Sequence, residues 1–157
     1  MKKPHVIAQC ISFVLLALML ALLVMQFVPF WTEGDGTATI SDYIWFPREH
    51  KELNNSLKEA FGKDYRINQY LIGPITLLVS AAAGIVFSVL KRGRLNSFLL
   101  PLVCGLAGYT TYFTYAPYKL GANWIVHASL SIAVLAVAVI GIAVSLFFII
   151  KSKAKKN

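Results

Sequence analysis

Six hydroxyl-bearing side chains, Tyr109, Thr110, Thr111, Tyr112, Thr114 and Tyr115, crowd seven consecutive positions of an otherwise apolar stretch. His127 opens the next apolar run, beside Trp124. Together Tyr109, Thr111, Tyr112, Thr114 and His127 could line an outward-facing polar cavity for a small ligand or a lipid headgroup. A second reading uses the same residues without a ligand. Threonines inside a helix bond back to their own carbonyls, and tyrosines collect where an apolar phase meets water. An ionisable residue within a membrane span is a functional candidate by default. His127 is therefore either a relay or ligand group, or an interface histidine satisfied by its neighbours or by headgroup water.

The other candidate chemistry is sparse. Arg48-Glu49-His50-Lys51-Glu52 places one histidine among carboxylates, but without the second imidazole at i+4 that a helical zinc site uses. It reads as a solvated charged helix surface. Cys10 and Cys104 stand alone, with no Cys-x-x-Cys pair, and read as small packing residues. Asn54-Asn55-Ser56 is a glycosylation sequon. The chain has no phosphate-binding glycine loop, nucleophile elbow, paired intramembrane carboxylates or Cys/His cluster. Catalytic, cofactor-binding and metal-ligating residues are therefore expected to be none, and the chain is expected not to be an enzyme.

The elements that must position these groups are apolar. Of 157 residues, 57% are hydrophobic and 14% charged, against roughly 45–50% and about 25% in soluble domains. The excess falls in four runs, about 6–28, 70–90, 97–117 and 124–150, interrupted by no Asp, Glu, Lys or Arg. About 20 helical residues cross a hydrocarbon core of about 30 Å. In that medium each span must satisfy its own backbone, which makes it a helix. The expected fold is an all-α membrane protein, a bundle of four transmembrane helices in one domain. A small extracytoplasmic cap, about 29–69, lies between the first two.

Charge sorts along the chain as apolarity does. All seven acidic residues lie between Glu33 and Asp64. Lys2, Lys3, Lys91, Arg92, Arg94, Lys151, Lys153, Lys155 and Lys156 flank the opposite ends of the spans. By the positive-inside rule both termini are cytoplasmic, in a multi-pass protein of the plasma membrane. The formal net charge of +8 does not point to nucleic acid, because the cations form no stripe with interleaved aromatics. They suit anionic lipid headgroups, with the tail Lys151 to Asn157 as the best anchor.

The cap opens on the turn signal Glu33-Gly34-Asp35-Gly36. Thr37–Ile40 and Tyr43–Phe46 favour β structure, as a small hairpin or two extended strands. Pro47 then opens a short amphipathic helix to about residue 61, apolar at Leu53, Leu57 and Phe61 and stopped by Gly62. A unit this small seldom folds alone. Trp31, Ile44, Trp45, Phe46, Leu53, Leu57 and Phe61 need a surface to cover, which could be the span ends, the lipid interface or another protein. Within the second span Ser80, Gly84 and Ser88 line one face. Such spacing lets helix backbones approach closely in lipid, within one chain or between two.

The order of elements is similar to that of the claudin-type tetraspans: a span, an outer β-segment with tryptophan, a short outer helix and three more spans. Trp31 and Trp45 fall in the echoing places. The Gly-Leu-Trp triplet and cysteine pair of that family are not in this sequence, so no functional residue carries across. The functional expectation is a binding or assembly protein, an accessory or self-associating subunit that docks through its cap. The alternative is a small oligomeric transporter or channel with a Tyr/Thr/His-lined path.

Overall fold

The structure, a computed structural model, describes residues 5–29, 31–33, 35–62, 67–115 and 123–154. It is mostly helical. The order is α1 (Val6–Met25), β1 (Trp31–Glu33), β2 (Gly36–Ala38), α2 (Ile40–Trp45), α3 (Lys51–Phe61), α4 (Ile67–Leu90), α5 (Asn96–Tyr115) and α6 (Asn123–Ala154). Each of the four apolar runs is a helix. Val6–Met25, Leu71–Leu90 and Asn123–Ala154 are long and apolar enough to cross a membrane. The remaining expected span, α5, has 20 residues, and its hydroxyl-rich second half makes it less hydrophobic than the other three.

These four helices pack as a ring in which α1 touches α4 and α6, while α5 touches α4 and α6 from the other side. Small residues set the close approaches. A Cβ built on Gly105 would lie 2.7 Å from the Leu135 amide nitrogen, so the α5 and α6 backbones nearly touch there. Phe98 covers Gly141, and Ser131 covers Gly108, on the same two helices. Gly84 of α4 sits under the end of Met19 from α1 and beside Pro101 of α5. Leu15, Met19, Leu22, Leu77, Phe98 and Val134 fill the middle of the ring. The outward faces are apolar too, on α5 as elsewhere, where Leu99, Val103 and Leu106 are exposed.

One end of the ring gathers cations. His5 caps α1, its Nδ1 accepting from the Ile7 amide at 3.3 Å, and its ring stacks on Phe148 of α6 at 3.7 Å. The turn from Lys91 to Leu95 lies at this end, with the Arg92 guanidinium 3.9 Å from the centre of the Phe13 ring. Lys151 and Lys153 occupy the last turn of α6, where cations suit the helix dipole.

The other end carries the acidic cap. β1 and β2 pair antiparallel, with Trp31 opposite Ala38 and Glu33 opposite Gly36, around the expected turn. The strands flank that turn closely, whereas the sequence pointed to 37–40 and 43–46. The second of those segments is instead the helix α2. Thr39 and Asp42 decide it. The Asp42 amide donates to Thr39 Oγ1 at 3.0 Å and the Thr39 amide donates to Asp42 Oδ2 at 2.9 Å. This reciprocal capping box satisfies two backbone donors that a helix start otherwise leaves open. The helical spacing also buries Ile40 and Tyr43 together, which outweighs the β-preference of the aromatic run. α3 starts at Lys51 after a turn through Pro47 to Glu49, four residues later than expected. It ends at Gly62, whose φ of 59° suits a residue without Cβ.

Candidate functional site

Of the hydroxyl-rich half of α5, Thr111 and Tyr112 face the ring interior. Gln26, the C-cap of α1, is fully buried there. Its Nε2 donates to the Leu22 carbonyl at 3.0 Å and to Tyr112 Oη at 2.9 Å. A carbonyl can only accept, so the first bond fixes which way the amide points. Tyr112 accepts from Gln26, and its Oη is hydrogen-bonded to His127 Nδ1 3.1 Å away, in a direction set by the imidazole tautomer. The two rings meet edge to face at 4.9 Å. Three helices, α1, α5 and α6, are thus joined by one run of hydrogen bonds, and Tyr112 and His127 are as closed to solvent as Gln26. Gln26 Oε1 is buried without a hydrogen-bond partner among the described residues.

The same glutamine ties this run to the cap. Its backbone carbonyl accepts from the Ser41 amide at 3.1 Å, at the start of α2. Nearby, Asn123 Nδ2 donates to the Pro29 carbonyl at 2.8 Å, joining the start of α6 to the exit of α1. The cap therefore sits on the ring through specific bonds. Its own core is Ala38, Ile40, Tyr43, Leu53 and Leu57. Tyr43 donates to Asn54 Oδ1 at 3.2 Å, and Asn54 Nδ2 donates to the Pro47 carbonyl, which fastens α2 to α3.

The expected polar cavity divides. Tyr112 and His127 come together in the interior. Thr111 Oγ1 donates to the Ala107 carbonyl of its own helix at 2.6 Å, under Gly73. Tyr109 is exposed on the outer surface of α5. The side chain of Thr114 lies outside the described ones. Neither Tyr112 nor His127 can be approached by a solute in this conformation. Gln26, the third member, was not singled out from the sequence. The available signal was an amide in the last turn of an apolar helix, where a polar side chain needs a partner.

The expected docking set divides as well. Leu53 and Leu57 are used inside the cap, and Ile44 is half-buried against the same core. Trp45 and Phe46 are left outside, 69% and 55% exposed. The side chains of Trp31 and Phe61 lie outside the described ones. Ser80 and Ser88 are buried, with Gly84 on the same α4 face toward α1 and α5. Ser80 Oγ bonds back to the Thr76 carbonyl. The small-residue stripe is thus occupied by contacts within the chain.

Among the described residues no group of three or more His, Cys, Asp or Glu side chains could hold a metal ion. Cys104 is buried and Cys10 exposed, both as free thiols. Compared with protein-family models, with curated proteins and with solved structures, the chain matches none of them, so its function rests on the geometry above.

Proposed function

We propose that this chain is a four-span protein of the plasma membrane, with both ends cytoplasmic. On this reading it acts without catalysis, as a binding or assembly subunit. Three helices of membrane length support the first half of the reading. The exposed apolar residues of α5 support counting it as the fourth span, because such a face in water would be a liability. The separation of cationic and anionic ends supports the orientation.

The observation that carries the second half is the pair Trp45 and Phe46. Of the cap's described side chains Ile40, Tyr43, Leu53 and Leu57 are buried, while these two adjacent aromatics are exposed. Aromatic groups held on a fixed surface are the usual anchors of protein interfaces. The partner is a neighbouring membrane protein with an apolar pocket on its outer face, or a second copy of this chain. The double variant Trp45→Ser with Phe46→Ser is expected to keep the fold, since neither side chain is buried, and to lose the complex. Crosslinking in native membranes followed by size analysis checks this. A complex of unchanged size would overturn it.

The alternative, a small oligomeric transporter or channel, draws on Tyr112 and His127. In the closed conformation their hydrogen-bond run has no access, so that reading requires the cap to lift away from the ring. Solute flux into vesicles that Tyr112→Phe alters would favour it.

A further inference from the structure

A serine inside a helix commonly bonds back to its own main chain. In this ring Ser131 Oγ donates to the His127 carbonyl at 2.9 Å, and Ser80 Oγ donates to the Thr76 carbonyl. Ser12, Ser88 and Ser145 do not follow them. They are 1%, 1% and 6% exposed, and their hydroxyl oxygens have no hydrogen-bond partner among the described residues. A buried hydroxyl left unbonded destabilises the fold, because water satisfied it before folding. Here there are three, one each on α1, α4 and α6, and all lie toward the end opposite the cap.

Two contacts set their depths. His5 lies at the depth of Phe148, and Met19 near that of Gly84. Inward from the first contact, Ser12 stands seven residues along α1 and Ser145 three along α6, about 10 Å and about 5 Å. Toward the same end from the second contact, Ser12 stands seven residues on and Ser88 four, about 10 Å and about 6 Å. Ser88, Ser12 and Ser145 therefore descend in axial steps of about 5 Å, a step that two hydrogen bonds through one water can bridge. Ser12, the middle one, is on α1, which touches both α4 and α6. A cavity of about 320 Å³ opens at this end, lined by Gln9, Val89, Leu90, Lys91, Arg92 and Arg94. Gln9 is one turn from Ser12, and Val89 adjoins Ser88. Farther into the ring Met19, Leu77 and Val134 are fully buried and apolar.

We propose that this end of the ring is a hydration site, in which water enters through the cavity and is held between α1, α4 and α6 by Ser12, Ser88 and Ser145. Each neutral hydroxyl can both donate and accept, which matches water on either side, whereas an anion would use only the protons. The site depends neither on docking through Trp45 and Phe46 nor on which side of a membrane this end faces.

The full-length chain with Cys10→Ala and Cys104→Ala, in nonionic detergent, receives one new cysteine at a time: Ser12→Cys, Ser88→Cys, Ser145→Cys or, as the dry control, Leu77→Cys. Each variant is treated with methyl methanethiosulfonate at neutral pH. Only a thiolate attacks this reagent, and burial away from water suppresses the thiolate. The three serine positions are expected to react at least about tenfold faster than the Leu77 control. A smaller ratio at any of the three overturns the site. Alanine variants give a reading that does not need the cysteine variants to fold. A hydroxyl with nothing to bond is better removed, so Ser12→Ala and Ser88→Ala raise the thermal midpoint if this end is dry. They are expected to lower it, and the double variant to lower it by less than the sum, because both hydroxyls hold shared water. A midpoint unmoved or raised in either single variant overturns the proposal, as does strict additivity. Sodium chloride is also compared with sodium gluconate at equal ionic strength. A midpoint that depends on the anion in the parent, but not in the variant with all three serines changed to alanine, makes the guest an anion and overturns water.

Discussion

Tyr112 accepts from Gln26 and is hydrogen-bonded to His127, so a single hydroxyl holds the two together. Tyr112→Phe leaves an amide N–H and an imidazole nitrogen facing a gap of unchanged shape. The expected loss of stability is about 1 kcal/mol, in the range found for hydrogen bonds between membrane helices. Gln26→Leu should cost less on the Tyr112→Phe background than on the parent, because the bond it removes is already gone. A double-mutant cycle from reversible unfolding in mixed micelles checks this. Additivity within about 0.3 kcal/mol would mean the two groups are not coupled. The sequence marked Tyr112 and His127 as chemically unusual, because hydroxyls and imidazoles are rare in apolar runs. It could not mark their pairing with Gln26, which is 86 positions from Tyr112 and comes near it only when α1 and α5 approach across the ring.

At the scale of elements, two close glycine contacts separate a rigid obstacle from a soft one. A methyl on Gly84 meets the free end of Met19, which can swing aside. A methyl on Gly105 meets the Leu135 backbone, which cannot. Gly105→Ala is therefore expected to lower the thermal midpoint clearly, while Gly84→Ala shifts it little, when the two are compared in the same detergent. Equal shifts would contradict the α5–α6 approach described here. The long helices were legible because twenty or more residues without a charged side chain admit few alternatives. The cap was harder. Thr39 and Asp42 have the spacing of a helix start, but Tyr43, Ile44, Trp45 and Phe46 pull toward a strand by local preference. Burial of Ile40 and Tyr43 against the ring settled the contest, and that surface is invisible in the local sequence.

For the whole molecule the decisive quantity is the side on which each charged end lies. In a Cys10→Ala, Cys104→Ala background, single cysteines at His50 and Lys153 are expected to behave oppositely toward a membrane-impermeant maleimide added to intact cells. Position 50 should label and position 153 should not. Labelling of both, or of 153 alone, would remove the proposed orientation and with it the outward presentation of Trp45 and Phe46.

The contacts between α5 and α6 also bear on how the molecule can move. Phe98 meets Gly141, Gly105 meets Leu135, Gly108 meets Ser131, and Tyr112 meets His127. Reading forward from 98 to 112 on α5 and backward from 141 to 127 on α6, the contacts interlock like the teeth of a closed zip fastener. Axial sliding by one turn would drive the Leu135 main chain away from Gly105. The two helices are therefore expected to shift together rather than past one another.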